Sequence, residues 1–209
     1  PKSGLHKTTD GGKTWQKLKT GLPGGNMGKI GLALSPQNPD VLYAAIELNL
    51  KKGGFYRSAD RGMSWTKKSD IISGGTGPHY YQELWASPHQ FDRVYFANNY
   101  MKVTNNGGAS FQNLGKAHKH VDNHAMAFKA SDPDYLMVGT DGGLYESFDL
   151  ASTWRHLGNM PITQFYKLAV DDAKPFYNLY GGTQDTNTQG GKSRTDKVSG
   201  ISTSDWKVI

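Results

Sequence analysis

The chain has 209 residues, 36% of them hydrophobic, with 26 glycines, no cysteine and a formal charge of +6. That apolar content is enough for a packed domain and argues against a disordered chain, while the missing cysteine excludes a disulfide framework and a thiolate metal site. No apolar run approaches the roughly 20 residues that span a bilayer, and Lys and Arg stand singly among Asp and Gly instead of forming a basic stripe, so neither a membrane span nor nucleic acid is an expected partner.

Apolar residues alternate in short bursts broken by Gly, Pro, Asn and Asp, which predicts strands joined by tight turns and little helix. Residues 1–20 hold the first copy of an eight-residue pattern, Thr8-Thr9-Asp10-Gly11-Gly12-Lys13-Thr14-Trp15. With a strand on either side it supplies the outer two strands of a sheet.

The second stretch, about 26–70, opens on an inner strand near 28–34 and turns at Ser35-Pro36-Gln37-Asn38-Pro39-Asp40 before the apolar Val41-Leu42-Tyr43. The pattern then returns as Ser58-Ala59-Asp60-Arg61-Gly62-Met63-Ser64-Trp65. A third stretch, 78–117, repeats the order: an inner strand near 80–86, the turn Ser87-Pro88-His89-Gln90-Phe91-Asp92, and a variant box with Asn106 and Phe111 where Asp and Trp stood. The fourth, 120–160, has its inner strand near 122–128, the turn Ser131-Asp132-Pro133-Asp134, and a box in which Ala151 replaces Gly between Asp149 and Trp154. The last, 162–209, begins near 164–170, turns at Lys174-Pro175-Phe176, and ends on Ser204-Asp205-Trp206, which reads as a decayed box.

Asp10, Asp60, Asn106 and Asp149 are spaced by 50, 46 and 43 residues, the length of a four-stranded propeller blade. The chemistry of the box is that of a hairpin turn. An Asp or Asn side chain accepts bonds from backbone N–H groups further along, Gly supplies positive φ, and the aromatic packs between sheets. Asp10, Trp15, Asp60, Trp65, Asn106, Phe111, Asp149 and Trp154 are therefore assigned structural roles, with all three Trp expected to be largely buried. The fold class is all-β: a β-propeller of four-stranded antiparallel blades. About four and a half blades are present, and they are expected to be part of a larger ring. That expectation requires the remainder of the same chain, or another chain, to close the propeller; the opening on Pro1 instead of Met fits it.

Aligning the stretches on their Pro turns makes the starts of the inner strands equivalent. The connections between second and third strands should lie at the same end, opposite the boxes. That end gathers Tyr80, Gln82, Glu83, His124, Tyr166 and Gln184 as candidate ligand contacts, with Asp122, Asp141 and Asp185 as candidate catalytic carboxylates. His118, His120, Asp122 and His124 alternate, so in an extended strand all four would face one way and could hold a divalent metal; otherwise no cofactor is expected. A glycosidase needs two carboxylates roughly 5 to 9.5 Å apart, which Asp122 with Asp141, or Asp141 with Asp185, could supply. No Gly-x-Ser-x-Gly nucleophile motif is present.

The boxes, the Ser-Pro-x-Asn-Pro-Asp turn at 35–40, Gly139-Thr140-Asp141-Gly142-Gly143-Leu144-Tyr145 and Gly181-Gly182-Thr183-Gln184-Asp185 together resemble the Asp-box (bacterial neuraminidase repeat) propellers. The likeness runs along essentially the whole chain and is greatest to sortilin-like, glycosyl-hydrolase-like propellers of bacteria. It implies a secreted, periplasmic or cell-surface location. Its members include sialidases, xyloglucanases, photosystem assembly factors and sorting receptors, so it leaves two functions open. One is an extracytoplasmic module that binds carbohydrate, protein or peptide; the other is a glycoside hydrolase acting on a polysaccharide. Sialidase chemistry is disfavoured, because there is no Arg-Ile-Pro motif and Arg57, Arg61, Arg93, Arg155 and Arg194 stand mostly beside boxes or turns.

Overall fold

A computed structural model describes residues 3–49, 52–73, 81–160, 163–185 and 187–209. They form two compact units, Pro1–Thr140 with Leu144–His156 and Asp141–Gly143 with Leu157–Ile209.

The first hairpin pairs β1 (His6–Lys7) with β2 (Gln16–Lys17). Three four-stranded antiparallel meanders follow: β3 (Met27–Leu34), β4 (Leu42–Leu48), β5 (Lys52–Ser58) and β6 (Thr66–Ser69); β7 (Leu84–Ala86), β8 (Val94–Phe96), β9 (Lys102–Thr104) and β10 (Gln112–Asn113); β11 (Asn123–Lys129), β12 (Asp132–Thr140), β13 (Gly143–Ser147) and β14 (Arg155–His156). The second unit carries a fourth meander of β15 (Phe165–Val170), β16 (Asn178–Thr183), β17 (Thr188–Lys192) and β18 (Trp206–Val208). Among the described residues the one helical turn is a short 3₁₀ segment, Thr203–Asp205, and no helix is long and apolar enough to cross a membrane.

The sheets of the first unit pack face to face, which explains the unbroken apolar run of β4. Tyr43 and Ala45 point into a cluster with Phe55, Leu84, Val94 and Phe96, while Ala44 and Ile46 point the other way, to Leu5, Leu18, Tyr56 and Trp65. A strand covered on both faces has no polar side to alternate with. A third cluster joins Tyr95, Met101 and Val103 to Leu136, Val138, Tyr145, Ala151 and Trp154. Each fully buried aromatic or aliphatic side chain contributes roughly 1.5–3 kcal/mol.

All four boxes close in the same way. Asp60 Oδ1 accepts from Ser64 N–H at 2.8 Å and from Ser58 Oγ–H at 2.7 Å, and Ser58 Oγ accepts from Gly62 N–H at 2.9 Å. Asp10, Asn106 and Asp149 repeat this with Thr14, Ser110 and Thr153. The two divergent boxes are thus complete in geometry: Asn106 turns its amide onto Ser110 Oγ at 2.9 Å, and Ala151 adopts the left-handed φ of 74° that Gly takes elsewhere. The Pro turn of the fourth stretch is tighter than expected, with Asp132 and Pro133 already inside β12.

Two expectations fail. Trp65 and Trp154 are buried at 5% and 8% exposure, but Trp15 is 61% exposed. A box Trp packs against the sheet before its own, as Trp65 does on Leu5 and Leu18, and the first hairpin has no earlier sheet among the described residues. Ser204-Asp205-Trp206 is not a box either. Asp205 accepts from Ser202 N–H at 2.8 Å and pairs with Lys197 at 2.8 Å, capping the 3₁₀ turn.

In the second unit no described hydrophobic side chain is buried. On β15, Tyr166, Leu168 and Val170 all face solvent.

Candidate functional site

In the first unit the polar groups gather at the sheet ends opposite the boxes, where β11 starts and the β8–β9 connection, 97–101, turns. Asp122 sits just before β11 with a left-handed φ of 60°, a conformation Asp tolerates better than most residues. Its N–H donates to Asn99 O at 3.1 Å. Its Oδ1 accepts from Tyr81 O–H at 2.8 Å and from Asn99 Nδ2 at 2.5 Å. The next residue, buried Asn123, donates through Nδ2 to Asn98 O at 2.9 Å and Asn99 O at 2.8 Å. The two sheets are therefore stitched by side-chain amides, and the Asp122 carboxylate is held by groups of the preceding sheet.

Above this network His124 is exposed and stacks on Tyr81, with ring centroids 5.5 Å apart and planes 28° from parallel. Tyr81 itself is buried. Its hydroxyl fixes Asp122 and its ring fixes the imidazole, which presents a flat heteroaromatic surface beside a carboxylate.

Lys119 approaches from the β10–β11 connection. Its Nζ donates to His120 O at 2.8 Å and to Asn123 Oδ1, and lies 5.4 Å from the Trp154 ring and 5.9 Å from Tyr145. Burial lowers the ammonium to about 8, with the Asp122 charge acting the other way. Further round, Glu83 pairs with Lys29 at 2.6 Å and accepts from Gln82 N–H at 3.0 Å, while Glu47 accepts from Lys29 N–H at 3.0 Å. Burial raises the Glu83 carboxyl, but the bonds from Lys29 and the backbone outweigh it and leave it below its usual range.

Several expected site residues are corrected. Gln82 is not a ligand contact: its side chain is fully buried and its Oε1 accepts from Ser73 N–H at 3.0 Å. The row His118, His120, Asp122 and His124 does not face one way, because His118 and Asp122 both take φ near 60° and the segment turns before β11 begins. Among the described residues no group of three or more His, Asp or Glu could hold a metal. Tyr80 lies outside the described residues.

The remaining candidates belong to the second unit. Tyr166, Lys167, Gly182, Thr183 and Gln184 line a wide-open surface depression of about 520 Å³ where β15 begins and β16 ends, and exposed Asp185, at φ 58°, follows directly. Asp141 is exposed in the bend between β12 and β13. Sequence reasoning missed Tyr81, Asn99, Asn123 and Lys119. The Asn98-Asn99 pair in a second-to-third strand connection is a usable signal; nothing in the pattern marks Lys119 as half-buried against Asn123.

No family profile matches the chain, and no curated protein does. Solved structures do. An enzyme of Niastella koreensis named GH74 aligns at 13% identity and TM-score 0.53 over 85% of this chain and 29% of its own. The GH74 xyloglucanase of Xanthomonas campestris aligns at 17% and 0.52 over 78% and 28%, and an ancestral GH74 enzyme at 15% and 0.54 over 99% and 28%. The fold is that of a β-propeller. The chain spans under a third of the length of each of these enzymes, and at such identities the likeness concerns the fold alone.

Proposed function

We propose that the chain is part of an extracytoplasmic Asp-box propeller, related to sortilin-like and glycosyl-hydrolase-like propellers, that binds a carbohydrate or peptide ligand at the Tyr81–Asp122–His124 cluster. Its ring is completed by further sheets. The observation that supports binding is the exposed His124 ring stacked on buried Tyr81; both side-chain bonds to the neighbouring Asp122 carboxylate, from Tyr81 and Asn99, fall on Oδ1. A glycosidase acid or nucleophile needs an oxygen aimed at the scissile bond and a second carboxylate at a set distance. Exposed His124 on its buried tyrosine instead offers a rigid ring for stacking and a polar edge for hydrogen bonds, as binding sites commonly do.

The test is a glycan and peptide binding screen on the whole chain. Any ligand found should lose at least fivefold in affinity with His124→Ala, and no glycan should be turned over. Hydrolysis abolished by Asp122→Asn would overturn this reading. A second reading, a glycoside hydrolase, rests on the open depression lined by Tyr166 and Gln184 with Asp185 beside it. Turnover lost with Asp185→Asn or Asp141→Asn, and kept with Asp122→Asn, is the outcome it predicts.

A further inference from the structure

From Arg93 to Val121 the chain carries no Asp or Glu, although it holds 18 acids in 209 residues. The same span contains Arg93, Lys102, Lys116 and Lys119 with His118 and His120, and His124 follows soon after. Arg93 belongs to the Pro-turn end of its sheet, where it donates to Gln90 Oε1 at 3.2 Å. The other cations lie where β9 begins and along the β10–β11 connection, at the end that holds the Tyr81–Asp122–His124 cluster.

Bonds between the two connections bring these groups together. Leu114 N–H donates to Met101 O at 2.9 Å, and Asp122 N–H to Asn99 O at 3.1 Å. Between those ties Lys116 Nζ stands 4.2 Å from the centre of the Tyr100 ring, and both side chains are exposed. Lys119 is half-buried beside Asn123. Three lysines and three histidines thus share residues 97–124 with a single carboxylate, Asp122. That carboxylate is turned to Tyr81 and Asn99 and acts on Lys119.

We infer that the site takes an acidic saccharide, one whose sugar rings carry carboxylate or sulfate groups. This ligand class rests on the binding reading above and narrows it. The exposed rings of His124 and Tyr100 present π-faces to the C–H faces of a pyranose, and the Lys116 ammonium beside Tyr100 meets an acid group with a charge-assisted bond. An acidic peptide is the weaker fit. The carbonyls of Asn98, Asn99, Met101, Lys116 and His120 all accept bonds from within the unit, so these connections offer a peptide no open main-chain ladder. A neutral saccharide gains nothing from the ammonium groups.

Calorimetric titration of the whole chain with four probes tests this: a galacturonate hexamer, a heparin hexasaccharide, a neutral cellohexaose and a glutamate hexapeptide. At least one acidic saccharide should bind roughly tenfold more tightly than cellohexaose and the peptide, and the pair of them tells carboxylate from sulfate preference. Its affinity should fall as salt is raised. Lys116→Gln and Tyr100→Ala should each weaken it roughly fivefold, whereas Lys68→Gln, at an exposed lysine of β6, should not. Equal binding of cellohexaose or of the peptide overturns the acidic-saccharide class, as does an equal loss with Lys68→Gln or no binding of either acidic probe. The binding reading fails separately. It stands if a neutral or peptide ligand is lost with His124→Ala. It falls, with the acidic class kept, if acidic-saccharide binding needs Lys116 and Tyr100 but is untouched by His124→Ala.

Discussion

The box at Asp10 and the box at Asp60 have the same bonds and opposite surroundings. In both, the Asp accepts from a backbone N–H four residues on, the opening hydroxyl accepts from a Gly N–H, and the Trp indole donates to a Gly carbonyl at 3.0–3.1 Å. Trp65 is nevertheless 5% exposed and Trp15 is 61% exposed. Eight residues therefore encode a turn without encoding burial. Burial comes from the sheet in front, which Leu5 and Leu18 supply for Trp65.

The largest effect that should follow is a split between the two tryptophans. Trp65→Ala should destabilise by roughly 3–5 kcal/mol, as truncation of a buried Trp does, whereas Trp15→Ala should stay within about 0.5 kcal/mol, as surface changes usually do. Denaturant midpoints of the two variants measure this directly. Equal losses would mean that the box itself, and not the neighbouring sheet, holds the aromatic.

A smaller split should appear at the glycines. Gly108 and Gly12 share a left-handed backbone, with φ of 96° and 90°, so Ala at either carries a similar local penalty. Ala151 already bears that penalty at the equivalent position. The surroundings differ, because a Cβ on Gly108 would lie 2.0 Å from Cδ1 of fully buried Phe55, while one on Gly12 would come no nearer than 3.9 Å to the Trp15 ring. Gly108→Ala should therefore be worse than Gly12→Ala by about 1–3 kcal/mol, the usual range for overpacking a core. Similar unfolding midpoints for the two would show that Phe55 can move aside.

The same distinction separates what the sequence discloses from what it conceals. Box and Pro turn are local, and both are readable where a residue departs from pattern, as at Asn106 and Ala151, although the same reading takes the 3₁₀ turn at Ser204-Asp205-Trp206 for a box. One backbone bond ties box to Pro turn in each of three sheets, from Arg61 N–H to Asp40 O, Gly107 N–H to Asp92 O and Leu150 N–H to Asp134 O, so the two are parts of one structural unit. The failures all concern relations across sheets or local turns. His118, His120, Asp122 and His124 alternate on paper, but two left-handed residues break the alternation. Gln82 stands in register with exposed positions of other sheets, yet points inward to Ser73. The Tyr81–Asp122–Asn99 contacts depend on how two sheets meet, and no periodicity in one strand carries that information.

The smallest effect concerns charge, and it sets Asp boxes against the Asn box. Thr14, through its hydroxyl and then its N–H, and the Thr8 hydroxyl hold the Asp10 carboxyl down at about 2; Ser64 and Ser58 do the same for Asp60. A carboxyl depressed in the folded state stabilises it above the unfolded value of about 3.8, and that contribution fades as pH falls through the folded value. Protection of the Ser64 and Thr14 amides against exchange, after correction for intrinsic rates, should therefore decline between pH 4 and pH 2. The Ser110 amide donates to a neutral Asn106 Oδ1 at 3.0 Å and should show no such decline. Asp60→Asn turns one kind of box into the other, so it should flatten the Ser64 profile and leave Thr14 titrating. A Ser64 profile that still falls in this variant would assign the acid sensitivity to a group other than Asp60 or to a general loosening of the sheets.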